Sequence, residues 1–155
     1  MTPEQRSAPP PDVRVEAVGV DVVLPLRAAV LRPGLSVDLA RYEQDADPAT
    51  VQLAAFDPDG AVVGCSTWSP DSWNQLPAWR LRGMATAPSA RRQGVGARLL
   101  QAGLERGVAA GAVVAWCNAR TAALGFYRRY GFTAVGEEFE VPHAGPHYRM
   151  WRPLP

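Results

Sequence analysis

Between Trp79 and Cys117 the hydrophobic period changes twice, and that order of elements constrains the fold more than any other feature of the chain. Trp79 to Ala87 reads as a strand that Pro88 stops. Gln93 to Val108 then carries Val95, Leu99, Leu100, Leu104 and Val108 at helical spacing. Ala112 to Cys117, bounded by Gly111 and Asn118, is a short apolar run that fits a buried strand. Strand, helix and strand in this order make a crossover unit whose two strands lie parallel.

The handover from strand to helix passes through Arg91-Arg92-Gln93-Gly94-Val95-Gly96-Ala97. Backbone N–H groups at a helix start lack intrahelical partners, and the positive end of the helix dipole sits there. Glycines at 94 and 96 let a diphosphate approach the main chain, and the adjacent arginines favour its charge. The same glycines also suit a tight turn without any ligand. A dinucleotide fingerprint fails, because Leu99 stands where a third Gly or Ala is needed and the next strand ends in Cys117 and Asn118 rather than an acid. A P-loop fails because all 16 basic residues are arginine.

The absence of lysine also removes Schiff-base chemistry. With 15 acidic residues the net charge is +1, so neither a nucleic-acid footprint nor an acidic tail is written into the composition; a small ligand is the expected partner, with no nucleic acid or membrane. At 155 residues and 47% hydrophobic content, one domain with one core is expected over residues 13–155. Met1 to Asp12 holds four prolines among polar residues and reads as a tail. Cys65 and Cys117 lack metal or redox spacing and read as buried reduced thiols. No apolar stretch reaches membrane-spanning length and the start lacks a signal-peptide core, so a cytoplasmic location is expected.

Elsewhere, Val13 to Val18 alternates as a strand, and Asp21 is a candidate cap for a helix burying Leu24, Leu26, Ala29 and Val30 and ending near Pro33 and Gly34. Val51 to Phe56 and Ala61 to Trp68 form a hairpin about Asp57-Pro58-Asp59-Gly60. Asn118 is a candidate cap for a helix to about Tyr130, Gly131 ends it in the left-handed conformation, and Phe132 resumes a strand. Tyr148 to Trp151 is the last strand, and Glu137 to His147 is expected to be a loop.

Arg91, Gly94 and Gly96 fit the pattern Gln or Arg, two residues, Gly, one residue, Gly or Ala. Met84-Ala-Thr86-Ala-Pro88 precedes it and Phe126-Tyr127-Arg-Arg-Tyr130-Gly131-Phe132 follows. On these three signatures, in this order across residues 80 to 133, the sequence resembles the GNAT superfamily of N-acetyltransferases. The resemblance implies an α/β fold with a mixed, mostly antiparallel sheet, a central splayed parallel strand pair and flanking helices. It implies an acyltransferase that passes an acetyl group from acetyl-coenzyme A directly to the amine of a small molecule or peptide, without a metal; a homodimer is compatible with it. The implied cofactor contacts are Met84, Ala85, Thr86, Arg91, Arg92, Gln93, Gly94, Val95, Gly96, Ala97, Asn118, Arg120 and Ala123. Tyr127 is the implied donor of a proton to the departing thiolate.

The chain also departs from the family. Arg120 stands where members often carry asparagine, seven residues before Tyr127, with Asn118 two residues earlier; on a helix Arg120, Ala123 and Tyr127 would share one face, with Arg120 on the cofactor or in solvent. The strand before the turn has Arg80 and Arg82 where some members place a glutamate base. By alternation Arg80, Arg82, Met84 and Thr86 point the same way, so a cleft lined by that face would favour an acceptor bearing a carboxylate or phosphate; the alternative is that both arginines pair with surface acids. Gly83 suits a bulge, a close ligand approach or a packing constraint. Glu140, His143 and His147 are candidates to contact the acceptor and take its proton, or are structural. Trp68, Trp73 and Trp79 either wall an acceptor pocket or, the better default, pack in the core. The competing function class is an acyl-coenzyme A binding module without catalysis, which the missing glutamate supports and Tyr127 opposes.

Overall fold

A computed structural model describes residues 12–155, so all of the proline-rich tail except Asp12 lies outside the described residues. The elements are β1 (Arg14–Val18), α1 (Val20–Leu31), β2 (Val51–Phe56), β3 (Val62–Trp73), β4 (Leu76–Thr86), α2 (Val95–Ala109), β5 (Val114–Arg120), α3 (Leu124–Arg129), β6 (Thr133–Val141) and β7 (Gly145–Pro153). Two 3₁₀ turns, Val37–Ala40 and Glu43–Ala46, link α1 to β2. The strands form one sheet in the order β1-β2-β3-β4-β5-β7-β6. All neighbours are antiparallel except β4 and β5, which the α2 crossover makes parallel as the hydrophobic pattern requires. Among the described residues no helix is long and apolar enough to cross a membrane.

Helices cover both faces. On one, Val95, Leu99 and Leu100 of α2 and Tyr127 of α3 pack with Leu53, Trp68, Trp79, Leu81, Cys117 and Met150. On the other, Val23 of α1 packs with Ala54, Cys65 and Ala85. Farther along that second face Trp116, with Ala78 and Val114, is covered by Trp73 and Trp151. Trp68 and Trp79 are thus core residues, while Trp73 belongs to this outer cluster.

Several expectations need correction. Gly19, not Asp21, caps α1, and the helix buries Val23, Leu24, Arg27 and Ala28 while Ala29 is exposed. The face is shifted because Arg27 is fully buried inside a polar network. In α2 the buried stripe runs through Gly103 and Gly107 rather than Leu104 and Val108, because Trp68 and Trp79 lie over the two glycines. β3 extends past Trp68 into a second hairpin whose turn, Asn74 and Gln75, has φ of 48° and 68°. Asn118 caps no helix: β5 continues to Arg120, since Asn118, Ala119 and Arg120 pair with Arg149, Tyr148 and His147. The stretch from Glu137 to His147 is no loop but the tip of the β6–β7 hairpin, with Phe139↔His147 and Val141↔Gly145 in register. Gly131 does take the left-handed conformation expected of it, φ 89°.

Candidate functional site

The β4–β5 ladder runs only from Ala78↔Val114 to Leu81↔Cys117. Beyond it β4 follows β3 to Thr86 and β5 follows β7 to Arg120, so the parallel pair splays. A cleft of about 410 Å³ opens at the splay. Ala87 donates its N–H to the Val63 carbonyl at 2.8 Å, so by alternation the main-chain groups of Met84 and Thr86 face the open edge.

At the mouth of the splay Gly83 and Met84 stand together opposite Ser66, between the pairs Thr67↔Arg82 and Cys65↔Ala85. Gly83 has φ 62°, which a side chain would strain, and a Cβ there would lie 3.1 Å from both Arg27 Nε and Tyr42 Cε2. Bulge and packing constraint therefore coincide. The extra residue reverses the side-chain order: Trp79, Leu81 and Met84 pack on the α2 face, while Arg80 and Arg82 stay on the α1 face. Arg80, Arg82, Met84 and Thr86 accordingly do not share one face, because alternation fails across a bulge.

Arg27 holds this bulge from behind. Its guanidinium forms a two-pronged pair with Asp45 at 2.8 and 3.0 Å and donates to the Ala40 carbonyl, Gln52 Oε1 and Thr67 Oγ1. It also lies 4.3 Å from the Tyr42 ring centre, fixing Tyr42 against Gly83 at the edge of the cleft. Burial alone would raise the Asp45 carboxyl, but hydrogen bonds from Arg27, the Tyr42 N–H and Gln52 prevail and hold it below its ordinary value. Burial raises the Tyr42 phenol against the opposing charges of Arg27 and Arg32. Neither Tyr42 nor Arg27 carries a sequence signal, since their meaning arises only when α1 and the 3₁₀ segment meet β4.

The glycine turn lies at the other end of β4. Gly94, at φ 83°, caps α2, and the N–H groups of Val95, Gly96 and Ala97 have no acceptor among the described residues. Arg91, Arg92, Gln93 and Gly94 are exposed, Val95 points into the core, Ala97 is half-buried, and Gly96 borders the cleft. A Cβ at Gly96 would reach Phe126 Cζ at 3.4 Å. Of the other expected cofactor contacts, Met84, Ala85, Thr86, Asn118, Arg120 and Ala123 line the cleft with Gly96, whereas Arg91, Arg92, Gln93, Gly94, Val95 and Ala97 do not. Arg120 ends β5 rather than sharing a helix face with Tyr127, and its Nη2 donates to the Leu31 carbonyl at 3.0 Å, tying the end of α1 to the cleft wall.

Tyr127 lies against the floor, its ring edge-on to Phe126 and Phe132. The residue also lines the cleft, which puts the phenol at the splay between β4 and β5. Burial, with the neighbouring Cys117, holds the phenol well above its ordinary value. Burial also pushes the Cys117 thiol up to about 12, despite Arg80. His147 is buried in the cleft wall with Nδ1 2.8 Å from the Gly145 carbonyl. A carbonyl only accepts, so Nδ1 carries the proton and, in the neutral ring, Nε2 is an acceptor without a partner among the described residues. Glu140 and His143 are exposed near the hairpin tip and do not line the cleft.

A model of the acetyltransferase (GNAT) domain matches residues 48–134. The chain belongs to the GNAT acetyltransferase family. An uncharacterised N-acetyltransferase of Bacillus subtilis strain 168, YitI, is 31% identical over 145 residues, covering 92% of this chain and 97% of its own length. Among GNAT-type solved structures, a chain of the NatC complex bound to Gag peptide and CoA superposes with TM-score 0.76 at 17% identity, covering 93% of this chain and 99% of that one. The IAA acetyltransferase of Bacillus cereus ATCC 14579 gives TM-score 0.70 at 17% identity, covering 92% and 99%. These two likenesses establish the shared GNAT fold.

Proposed function

We propose that this GNAT protein moves the acetyl group of acetyl-coenzyme A directly onto an amine. The observation that carries the reading is the convergence, on one cleft, of the unpaired β4 edge, the bare N–H groups of the Gly94 turn and the Tyr127 phenol. The diphosphate would sit on the N–H groups of Val95, Gly96 and Ala97 beside Arg91 and Arg92, and the pantetheine arm would pair with the main chain of Met84 and Thr86. An N–H of that strand aimed at the thioester oxygen stabilises the charge that grows there in the transition state.

The amine nitrogen bonds to the thioester carbon and gives its proton to Nε2 of His147, directly or through a water; the C–S bond then breaks and the sulfur takes the Tyr127 proton. Solvent exchange returns both side chains to their starting states. Because burial disfavours a phenolate, Tyr127 stays protonated until the sulfur demands its proton. The buried, unpaired Cys65 and Cys117 support a reducing, cytoplasmic setting.

The test is thiol release from acetyl-coenzyme A across a panel of amino acids, polyamines, aminoglycosides and peptide N-termini, with Tyr127→Phe alongside. The expected result is amine-dependent release in which the variant loses about 10²- to 10⁴-fold in kcat with nearly unchanged cofactor affinity and Tm. Tight cofactor binding without release for any amine would favour a binding module instead. Full kcat for Tyr127→Phe in single turnovers would reduce Tyr127 to a packing residue.

A further inference from the structure

The cleft wall contains an arginine cluster that the acetyl-transfer chemistry leaves unused. Arg80 and Arg82 project from β4 on the α1 face, and the register Arg80↔Trp116 across β5 and Asn118↔Arg149 across β7 brings a third arginine onto the same patch. Arg80 lies 4.2 Å above the Trp116 ring and Arg149 lies 5.2 Å from it, so one indole holds two guanidinium groups. Arg82 is steadied by a 2.8 Å hydrogen bond from Nη1 to Ser69 Oγ.

Among the described residues no carboxylate lies within ion-pair distance of any of the three. Arg80 and Arg82 are partly desolvated like charges without an ion-pair partner, with the exposed Arg149 close by, and the cost of their repulsion shows at Arg80. Burial lowers its pKa to about 10, with Arg82 and then Arg149 adding to the effect and Asp71 opposing it. Arg80 Nε is buried with no hydrogen-bond partner, and so is Asn118 Oδ1 on the adjacent strand. One unsatisfied donor on a cation and one unsatisfied acceptor therefore belong to residues that line the same cleft. The expectation that these arginines pair with surface acids is not met.

We infer that this patch is the acceptor's recognition site and that the acceptor is an amine bearing a carboxylate on a nearby carbon, its carboxylate on Arg80, Arg82 and Arg149 and an amine N–H on Asn118 Oδ1. The inference rests on the acetyl-transfer reading. A flat guanidinium pinned to an indole presents a planar fork, which matches a carboxylate, and an anion supplies the counter-charge that the patch lacks. The same placement sets the amine on the wall it shares with His147, since both Arg149 and His147 belong to β7 and alternate onto one face.

The experiment compares free L-amino acids with their C-terminal amides, and with aminoethyl phosphate, in two readouts. Coenzyme A release measures transfer; quenching of tryptophan fluorescence measures direct binding and needs no turnover. The acids are expected to be acetylated with the lowest KM and to quench, and the amides to do neither well. Arg149→Gln, at an exposed position, and Arg80→Gln are each expected to raise KM or Kd for the acids by about ten- to a hundredfold while leaving the amides unchanged, as loss of a charge-assisted hydrogen bond does. Arg80→Lys, which keeps the charge without the fork, is expected to fall between. Equal use of acids and amides, equal effects of the variants on both, or preference for the phosphate would overturn the inference while leaving acetyl transfer standing. Absence of release for every amine, with acids still quenching in an Arg149-dependent way, would overturn the transfer reading and leave the carboxylate site standing; no binding by any acid would overturn the site.

Discussion

Gly103→Ala tests how α2 is seated on the sheet beneath the cleft. A Cβ at Gly103 would lie 1.9 Å from Trp68 Cε2, 2.1 Å from Cζ2 and 2.4 Å from Nε1, against a contact optimum of about 3.5–4.0 Å between carbons. Trp68 has no room to yield: it is fully buried, its Nε1 donates to Ser66 Oγ at 2.9 Å, and its ring stacks on Trp79 at 6.5 Å. Trp79 in turn donates to the Gly103 carbonyl at 2.9 Å and lies over Gly107, so α2 cannot simply lift. Overpacking of this kind costs roughly 1–3 kcal/mol, and turning the indole away from Ser66 adds about 1–3 kcal/mol for buried groups left unpaired. Alanine's better helix propensity returns about 0.8–1 kcal/mol. The net expectation is a loss of about 3 kcal/mol, a fall in Tm of roughly 6–12 °C for a chain of this size. Urea and calorimetric unfolding would measure it, with Gly125→Ala as the control, since nothing lies within 4 Å of a Cβ there and a helical glycine gains from the change. A Gly103→Ala protein as stable as the wild type would mean that Trp68 is not seated on that glycine and that the helix packs in another register.

Gly94→Glu should abolish acetyl-coenzyme A binding in calorimetry while the protein stays folded, because it puts a carboxylate beside the bare N–H groups of the turn; unchanged affinity would move the cofactor elsewhere. Arg27→Met should cost about 3–5 kcal/mol by stranding the Asp45 charge, read by urea unfolding; a loss under about 1 kcal/mol would show the network to be dispensable. Asp45 is held below its ordinary value near 3.8, so its contribution is full above that value and is lost as the pH falls through the lower folded value. Asp45→Asn should therefore be less stable at neutral pH and show a shallower loss of stability in the acid range, and a slope equal to the wild type would contradict the assignment.

The crossover unit, the glycine turn and Tyr127 were legible because each has a short-range signature: a change of period, paired glycines, an aromatic helix motif. What the chain hides is non-local. The burial of Arg27 depends on Ala40, Asp45, Gln52 and Thr67, which come from four separate segments. Gly83 alone is compatible with a bulge, a ligand approach or a packing constraint, but the consequence of the bulge, sending Met84 to one face and Arg82 to the other, follows only from register with β3. Asn118 offered a capping signal that strand pairing with Arg149 overrode, and Asn74-Gln75 formed a hairpin turn without the glycine that usually marks one. Arg149 could have been paired with Asn118 only by knowing that β7 sits beside β5.

An ordinary open sheet has two edges; this one has four, because the ladder between β4 and β5 stops after Leu81 and Cys117. The two extra edges lie in the middle of the sheet, where strand edges normally invite another chain to dock. Here the gap is lined by the rings of Phe126 and Tyr127 and by the guanidinium groups of Arg32, Arg80, Arg82 and Arg120, and on the proposed reading it would take an extended, slender, hydrogen-bonding molecule rather than a folded strand with bulky side chains. A ligand that fills it completes the ladder. At a hundredfold excess over its Kd such a ligand would add about 2.7 kcal/mol to the stability of the whole fold. Amide hydrogen exchange in residues 82–86 should slow more on cofactor addition than in the outer strands β1 and β6, which gain no hydrogen-bond partner.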